Sequence, residues 1–341
     1  MTTEHRTLLQ RDDHSVRAAV DAYTRLHDER AGGDLDARKA NYEVLINRYY
    51  DLVTDFYEFG WGTSFHFAPA RADERFEDAI LRHEVHLADA LGLASGMTAL
   101  DVGCGVGGPM RNIARYSGAE IVGINNNAYQ IERGRRHSVR EQMEHRTRFV
   151  KADFMAMPFD DGAFDGVYTI EASCHAPDKA ALFTEIARVM KPGATFAGYE
   201  WCLTDAFSAT NAEHQRIKKG IEEGDGLPDI AHTSEVDAAL EMAGFEVLEA
   251  RDMAPEAHPD RPWYLPLSGR DRSLRGLPRT PVGRKLTNAA TRVMERLKIA
   301  PEGTARVSDF LNVAADALVA GGETGVFTPM YFFRARKPAS D

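Results

Sequence analysis

The chain has 341 residues, 43% of them hydrophobic, which is enough for one large α/β domain with an added module or for two domains. Its 41 basic and 52 acidic residues leave a net charge of −11. This balance provides no basic surface for nucleic acid, so we exclude nucleic-acid binding as a main function. Three widely spaced cysteines without a CxxC pair argue against a disulfide scaffold and a zinc site, so we expect no metal and a cytoplasmic location.

Signals for secretion and for membrane insertion are not expected from this sequence. Its N-terminus is polar and has no apolar core, so it does not predict a secretory signal. No run of about eighteen apolar residues predicts a membrane span.

The N-terminal part of the chain predicts helices. Apolar residues recur at helical spacing within Asp12–Asp51, and a second helix is predicted over Ala72–Leu91. The aromatic segment Tyr49–Phe67 lies between them, and its two glycines and scattered polar residues do not suit a packed helix. We interpret this segment as a loop, whose rings either wall an apolar pocket and hold a cation or pack into the core.

Strands and helices alternate from Thr98 onwards, which predicts a parallel sheet covered by helices on both faces. Lys191-Pro192-Gly193 is predicted to end a helix and precede the next strand. The predicted strands are Thr98–Val102, Glu120–Ile124, Thr147–Ala152, Phe164–Ile170, Ala194–Trp201, Phe245–Arg251 and Val326–Arg336, and helices are predicted up to Tyr116 and over Tyr129–Met143 and Lys179–Met190.

A long insertion, Asp252–Gly325, separates the last two predicted strands and contains two predicted helices, near Val282–Leu297 and Thr304–Val319. Its Pro- and Arg-rich start, Pro255–Pro281, leaves contact with an anionic membrane open, although a solvated loop explains it more simply. We therefore divide the chain into an N-terminal helical segment with the aromatic loop (1–92), an α/β core (93–253), a helical substrate module (254–325) and a final strand and tail (326–341).

The sequence TALDVGCGVGGP, Thr98–Pro109, predicts the ligand site. Glycines directly after a strand let the backbone turn tightly and approach a ligand closely. Gly103, Gly105 and Gly108 match a dinucleotide fingerprint, but the next strand ends in Asn125-Asn126-Asn127 instead of an acid for the ribose. S-adenosylmethionine fits better, because it has no phosphate and its amino-acid head suits Asp101. The Asn125 amide is predicted to contact the ribose.

Other polar residues follow the predicted strands. Asp153 follows the third strand, where its carboxylate can accept a hydrogen bond from an adenine amino group. Glu171 and His175 follow the fourth strand, and they are candidates for acid–base chemistry or for simple packing. The acidic run Glu222-Glu223-Gly224-Asp225-Gly226 is interpreted as a solvated face, the alternative being crowded carboxylates near a pocket, which would raise a pKa and supply a base.

Several of these blocks resemble the sterol 24-C-methyltransferase family, a branch of the class I S-adenosylmethionine-dependent methyltransferases. The resemblance rests on Tyr57–Gly62, Leu100–Met110, Asn125–Asn127 with Gln130, Ile170–Asp178, Tyr199–Trp201, Gly220–Pro228, Pro262–Tyr264 and Ala320–Met330. It implies a Rossmann-like sheet that is mostly parallel with an antiparallel last strand, an N-terminal helical cap and a helical insertion between the last two strands.

The resemblance also implies residue roles. S-adenosyl-L-methionine would donate a methyl group to the side-chain double bond of a sterol at carbon 24, leaving S-adenosylhomocysteine. A carbocation, a hydride shift and loss of a proton would follow. The sterol pocket would contain Tyr57, Phe59, Trp61 and Phe65, the base candidates would be His66, Glu171, His175 and Glu200, and the cofactor would contact Tyr50, Asp101, Gly103, Gly105, Gly108, Asn125, Asn126, Gln130, Asp153 and Phe154.

Two other functions stay open at this point. One is methylation or cyclopropane formation on a terpenoid or an unsaturated acyl chain, and the other is binding of S-adenosylmethionine by a regulatory protein without catalysis. The expected partner is a sterol or related isoprenoid lipid. Peripheral membrane contact and a homo-oligomer are left open.

Overall fold

The computed structural model describes residues 13–28, 33–270 and 280–339. The strands are β1 (Thr98–Val102), β2 (Glu120–Asn125), β3 (Thr147–Lys151), β4 (Phe164–Ile170), β5 (Met190–Leu203), β6 (Glu246–Asp252) and β7 (Phe327–Arg336). The helices are α1 (Asp13–His27), α2 (Leu35–Ala40), α3 (Tyr42–Trp61), α4 (Phe76–Leu91), α5 (Gly108–Ser117), α6 (Ala128–Arg140), α7 (Lys179–Val189), α8 (Ala212–Asp225), α9 (Thr233–Met242), α10 (Leu265–Ser268), α11 (Pro281–Arg296) and α12 (Thr304–Thr324).

The seven strands form one sheet in the order β3-β2-β1-β4-β5-β7-β6. β1 pairs in parallel with β2 and β4, β3 extends the sheet beyond β2, and β5 extends it beyond β4. The last strand, β7, pairs antiparallel with β6. The strand order reverses beside β1, and open α/β sheets bind ligands beyond the strand ends at such a point. The predicted fold class is confirmed, including the helical insertion between β6 and β7.

Local sequence explains where the helices around the sheet begin. Asn127 accepts a hydrogen bond from the Gln130 amide and caps α6, and Asp178 accepts one from the Ala181 amide and caps α7. β1 is buried on both faces, as expected of a central parallel strand. Aromatic pairs pack in the core between β4, β5, β7 and α7. One of them is Phe196–Phe333, whose ring centroids are 4.9 Å apart.

Contacts divide the chain into two compact units. A helical unit comprises Met1–Gly62, Ala206–Ile230 and Tyr264–Phe327, and a sheet unit comprises Thr63–Asp205, Ala231–Trp263 and Thr328–Asp341. Each unit combines stretches from several of the four predicted segments. Residues 63–92 join the sheet unit because α4 packs against α5 and β5, and α8 joins the helical unit because it packs along α12.

Small residues allow α8 and α12 to approach closely inside the helical unit. A Cβ atom at Gly224 would lie 2.4 Å from the Ala314 Cβ atom, so only glycine fits there. Tyr23 on α1 and Leu45 and Leu52 on α3 are buried in the same apolar cluster. The helical unit therefore has its own core.

Three features differ from the sequence prediction. The residues Phe56–Trp61 form the last turns of α3, so the prediction of a loop there is wrong; Gly62, with φ of 87°, ends the helix. Lys191-Pro192-Gly193 lies inside β5, which begins at Met190 directly after α7. The helices α8 and α9 were not predicted. Of the Arg-rich stretch, 271–279 lies outside the described residues.

Gly198 on β5 tests the packing of the sheet core. A Cβ atom there would lie 2.7 Å from Thr169 Cγ2 and 2.8 Å from Phe333 Cζ. We expect Gly198→Ala to lower the free energy of unfolding by about 1–3 kcal/mol, measured by urea denaturation, because the core has no room for the methyl group. Gly166→Ala on β4 is the matched control, since its nearest atom would be 3.4 Å away. Equal stability of the two variants would contradict this account.

Candidate active site

The glycine loop after β1 is shaped by backbone contacts. The Gly103 amide donates to the Ile124 carbonyl oxygen at 3.0 Å, which fixes the loop against β2. A Cβ atom at Gly103 would lie 2.3 Å from Ala172 Cβ, so packing requires glycine there. At Gly105, which has φ of 51°, the nearest atom would be Phe65 Cδ2 at 3.9 Å. Gly105 thus leaves space in front of the loop.

A pocket occupies this space within the sheet unit. Its acid is Asp101, which is 2% exposed and whose Oδ2 atom has no hydrogen-bond partner among the described residues. Burial raises the pKa of Asp101 to about 7. A buried carboxyl group beside the open space at Gly105 suits an ammonium group, so these residues fit the amino-acid head of S-adenosylmethionine. The pocket is lined by Thr63, Phe65, His66, Asp101, Gly103, Cys104, Gly105, Val106, Pro109 and Ile170.

Gly108 ties the segment Thr63–Phe67 to the start of α5. Its amide donates to the Thr63 carbonyl oxygen at 3.1 Å. A Cβ atom at Gly108 would lie 2.1 Å from the same oxygen. This glycine, predicted to contact the cofactor, is thus also required by a close backbone approach.

Asn125 at the end of β2 links two loops. Its Nδ2 atom donates to Gln130 Oε1 at 2.8 Å and to the Gly105 carbonyl oxygen at 3.3 Å, and its Oδ1 atom accepts from the Asn127 amide. Gln130 is buried, and Asn126 is half-buried. The Asn125 amide therefore orders the edge of the glycine loop, and its predicted ribose contact stays a prediction.

The remaining predicted cofactor residues lie in two places. Asp153, after β3, accepts a hydrogen bond from the Met155 amide at 2.9 Å. Phe154 packs against the core of the sheet unit. Tyr50 lies on α3 in the helical unit, where its ring centroid is 5.2 Å from that of Tyr49.

His66 forms a buried ion pair with Glu84 on α4. Its Nε2 atom is 3.1 Å from Glu84 Oε1, and its Nδ1 atom is 2.8 Å from the Phe67 carbonyl oxygen. Although burial acts in the opposite direction, the hydrogen bond and charge of Glu84 raise the pKa of His66. Both partners are acceptors, so both ring nitrogens donate. The imidazole is then a cation without a lone pair for a proton, which disfavours the predicted role as base.

Glu200 on β5 is surrounded by hydrogen-bond donors inside the protein. Its carboxylate accepts hydrogen bonds from the Ser173 hydroxyl, from the Trp201 amide at 3.0 Å and from Lys179 Nζ at 3.2 Å. Burial opposes the charge of Lys179, but Glu200 raises the pKa of Lys179 overall. Because Glu200 is fully buried and paired, it is a weak candidate for the base.

Glu171, directly after β4, is the candidate base with the most suitable environment. Its Oε1 atom accepts from the Phe67 amide and its Oε2 atom from Trp201 Nε1, both at 2.7 Å. Burial raises the pKa of Glu171 to about 8, close to the value that a general base needs. Its φ of 51° is rare for a residue with a side chain. His175 is buried in the short turn that follows.

The predicted sterol-pocket rings fall in both units. Tyr57, Phe59 and Trp61 lie on α3 in the helical unit, and Phe65 lines the pocket of the sheet unit. Phe59 is 71% exposed. The four rings therefore belong to one continuous stretch of chain that passes from the helical unit to the sheet unit.

The acidic run at the end of α8 is not a solvated face. Glu222 and Asp225 are each 6% exposed, so the prediction from sequence is wrong for both. Glu222 accepts hydrogen bonds from Lys218 and from the Ile230 amide. Asp225 accepts them from Tyr49 and Tyr57. Partners within the helical unit replace water for both acids.

Sequence reasoning missed the groups that hold the candidate residues in place. Glu84 is fully buried and also accepts from Ser64 and Asn112, each at 2.7 Å. Its position on the apolar face of α4, between Ile80 and Leu87, was the available signal, because an acid on such a face needs internal partners. Trp201 and Phe67 hold Glu171 from positions distant in sequence, which no local pattern reveals.

Comparison with known proteins identifies the family. A methyltransferase domain model matches residues 100–198, and a model of the sterol methyltransferase C-terminal region matches residues 274–339. A cycloartenol-C-24-methyltransferase of Arabidopsis thaliana is 51% identical over 96% of this chain and 96% of its own length. The chain belongs to the sterol 24-C-methyltransferase family. Sterol 24-C-methyltransferases of Aspergillus fumigatus and Saccharomyces cerevisiae are 46% and 44% identical, over 96% and 97% of this chain and 90% and 88% of their own.

Comparison with solved structures shows which proteins share this fold. A cyclopropane synthase from Mycobacterium tuberculosis has a TM-score of 0.66 at 18% identity, covering 86% of this chain and 98% of that chain. The [4+2]-cyclase SpnF has a TM-score of 0.64 at 21% identity, covering 86% and 96%. These likenesses show the fold alone. The relatives confirm the predicted family and enzyme class, so this sterol 24-C-methyltransferase family member is an enzyme that uses S-adenosylmethionine.

Asp101→Asn tests the cofactor pocket. We expect binding of S-adenosylmethionine, measured by calorimetry, to weaken about 10- to 100-fold, because a buried carboxylate would lose its attraction for the ammonium group. The wild-type affinity should rise with pH through about 7, as Asp101 ionises, and this rise should vanish in the variant. Glu120→Gln, an exposed acid on β2, is the control. Unchanged affinity in Asp101→Asn would place the amino-acid head elsewhere.

Proposed function

We propose that the protein transfers a methyl group from S-adenosylmethionine to carbon 24 of a sterol. The observation that carries this proposal is the 51% identity, over nearly the whole of both chains, to a cycloartenol-C-24-methyltransferase. The pocket beside Asp101 supports it, because its residues fit the cofactor head. A terpenoid or acyl substrate has only fold likenesses in its favour.

The residues around the pocket would hold the donor. Asp101 would attract its ammonium group, Gly103 and Gly105 would let the backbone approach it, and Asn125 and Asp153 would contact the nucleoside. S-adenosylmethionine, when bound, supplies an electrophilic methyl group. The protein's part is to orient the sterol double bond towards that methyl group and to exclude water from the reacting carbon.

Methyl transfer to the double bond leaves a positive charge on the sterol side chain. In our proposal, the rings of Tyr57, Phe59, Trp61 and Phe65 stabilise this charge by cation–π attraction, each by about 2 kcal/mol when desolvated. Hydride shift to the cation then moves the charge along the chain, and loss of a proton from the neighbouring carbon forms the new double bond. An apolar pocket protects the cation from water throughout.

Glu171 is the residue that we propose as acceptor of this proton. Its pKa of about 8 allows a carboxylate at mildly alkaline pH that binds a proton readily. The other candidates are less suited, since His66 carries a proton on both nitrogens and Glu200 is paired with Lys179. His175 remains the alternative acceptor after the same strand.

Glu171→Gln tests this assignment. The variant should still transfer labelled methyl groups to cycloartenol, but normal product should fall about 100-fold or more, because the base is lost after the cation has formed. Mass spectrometry should then detect shifted alkenes or hydroxylated side chains. In the wild type, formation of the normal product should rise with pH through about 8.

The controls for this experiment separate chemistry from binding. Trp61→Leu should slow methyl transfer more than it weakens sterol binding, because the charge exists only after the methyl group has moved. Glu185→Gln, an acid held by Arg188 on α7, should behave as the wild type. If Glu171→Gln loses only sterol affinity and keeps the normal product at the normal rate, Glu171 is not the base.

A lipid substrate requires access to a lipid surface, and we propose that α11 provides it. Within the described residues, no helix is both long and apolar enough to span a membrane. On α11, however, the large apolar side chains at spacings of four and seven residues share one exposed face. They are Val282, Leu286 and Val293, together with Leu297 directly after the helix, and all four are between 51% and 64% exposed.

Basic side chains flank this apolar face of α11. Lys285, Arg292 and Arg296 are exposed and follow one another along one side of it. Arg292 pairs with Asp309, whereas Lys285 and Arg296 add positive charge beside the apolar face, which favours the surface of an anionic bilayer. We therefore propose peripheral membrane contact through α11, with a second copy of the chain as the competing occupant of the same face.

Replacement of Leu286 and Leu297 by serine tests the membrane contact. We expect co-sedimentation with phosphatidylcholine–phosphatidylserine vesicles to fall at least about tenfold, because two leucine side chains no longer enter the interface. Val139→Ser, at an exposed apolar residue of α6, is the matched control. If vesicle binding is unchanged and analytical ultracentrifugation instead shows loss of an oligomer, the face joins subunits and the proposal is wrong.

A further inference from the structure

Two hydrogen-bond donors hold the Glu171 carboxyl group, and they differ in kind. The donor to Oε1 is the backbone amide of Phe67, at 2.7 Å, which any residue except proline would supply at that position. The donor to Oε2 is the indole Nε1 atom of Trp201, also at 2.7 Å. Only the second donor belongs to a side chain, so one position on β5 determines whether Glu171 keeps it.

The surroundings of Trp201 fix the direction of its N–H group. Trp201 is buried, its backbone amide donates to Glu200 Oε1 at 3.0 Å, and its ring centroid is 6.2 Å from that of Phe67. The Phe67 ring packs in turn against Trp263, with the centroids 4.9 Å apart. All of these residues belong to the sheet unit. The indole is therefore held by the backbone of β5 and by an aromatic cluster while it donates to Glu171.

The backbone at Glu171 also depends on neighbouring hydrogen bonds. Its φ of 51° costs free energy for a residue with a side chain, so surrounding contacts must stabilise it. The Glu171 amide donates to the Tyr199 carbonyl oxygen at 2.8 Å, which joins the end of β4 to β5. Beyond this turn, the bonds from Phe67 and Trp201 hold the carboxyl group in one orientation.

The indole N–H group also favours the ionised form of Glu171. Burial raises the pKa of Glu171 to about 8, whereas the charge of His66 and the hydrogen bond from Trp201 act in the opposite direction. Glu200 on β5 raises this pKa slightly, and its own partner is Lys179 on α7. The other ionisable side chains close to Glu171 lie buried in the turn after β4 and are Cys174 and His175. Removal of the indole N–H group would therefore raise the pKa of Glu171 further.

We propose that Trp201 is a positioning residue for the loss of the proton, whose indole N–H group aims the Glu171 carboxyl group and keeps it ionised at the pH at which the normal product forms. This inference rests on the proposed function, in which Glu171 accepts the proton. It deepens that function, because it assigns control of the pH range to a residue that acts through Glu171.

Nuclear magnetic resonance tests the contact without any substrate. The chain has three tryptophans, so protein labelled with ¹⁵N in the indole ring gives three Nε1 signals. The Trp201 signal should move with pH with an inflection near 8, because its acceptor changes charge there. The signal is identified by its loss in Trp201→Phe or, if that variant does not fold, by elimination with Trp61→Phe and Trp263→Phe. The movement should vanish in Glu171→Gln. A Trp201 signal that does not titrate overturns the proposal.

The pH dependence of product formation tests the role of Trp201. Formation of the normal product from cycloartenol is followed in a single turnover with both substrates saturating. We expect Trp201→Phe to move the inflection upwards from about 8 by about one to two pH units, because a hydrogen bond to a charged group is lost. The normal product should form about 5- to 50-fold more slowly than in the wild type near pH 8, and less than about fivefold more slowly near pH 9.5. A merely structural defect would not be repaired by alkali.

Two further variants separate the N–H group from the bulk of the ring. Replacement of Trp201 by 3-benzothienylalanine puts sulfur in the place of the N–H group and keeps the shape, so it should shift the inflection as Trp201→Phe does. Trp263→Phe is the matched control, since it makes the same change on a ring that packs against Phe67, and it should keep the wild-type pH profile. An inflection that stays near 8 in the benzothienylalanine enzyme overturns the proposal, even if Trp201→Phe does not fold.

Failure of this inference differs from failure of the proposed function. A wild-type enzyme that transfers no methyl group to any sterol overturns both, and so does a Glu171→Gln enzyme that forms the normal product at the normal rate. If Glu171→Gln loses the normal product but the Trp201 variants keep the inflection near 8, only the inference is wrong. In a Glu171→Gln background, Trp201→Phe should cause no further loss of normal product, because its effect passes through Glu171.

Discussion

A carboxylate that is removed from water must find its hydrogen-bond donors inside the protein, and this constraint organises the molecule. Each buried acid meets it differently. Glu84 accepts hydrogen bonds from an imidazole, a hydroxyl and a side-chain amide. Glu200 accepts them from a lysine and a hydroxyl. Glu171 accepts them from two neutral N–H groups. The donors differ in charge, because Glu200 has a lysine partner whereas Glu171 has only neutral N–H groups, and burial raises the pKa of Glu171 to about 8.

The sequence could predict features that depend on local patterns, but it could not predict the hydrogen-bond partners of the buried acids. Alternating strands and helices predicted the sheet and its ligand edge, because hydrophobic period is a local property. The glycines after β1 predicted the cofactor pocket, because a glycine-rich turn is also a local property of the sequence. The partners of Glu171, by contrast, lie 104 and 30 residues away, and those of Asp225 lie 168 and 176 residues away. Such contacts follow from the fold, so the acidic run looked solvated and the environment of each base candidate could not be ranked.

The aromatic segment shows how a local rule can fail. Gly60 and Gly62 and the scattered polar residues suggested a loop, yet α3 continues through Trp61 and ends only at Gly62. A single glycine costs a helix about 1 kcal/mol, which the buried face of α3 offsets through Leu45, Tyr49 and Leu52. Because the segment is helical, its rings are spaced by helix geometry, and Tyr57 and Trp61 are neighbours on one face.

The fold alone does not determine the reaction, since a [4+2]-cyclase and a cyclopropane synthase have the same architecture. One short segment bears on both halves of the site in the sheet unit. Thr63 bonds to the start of α5, His66 to α4, and Phe67 to Glu171 after β4. Residues 63–67 thus connect the start of α5, helix α4 and the carboxyl group of Glu171 through hydrogen bonds. The backbone that closes on the start of α5 is thus the same backbone that donates a hydrogen bond to Glu171, four residues further along the chain.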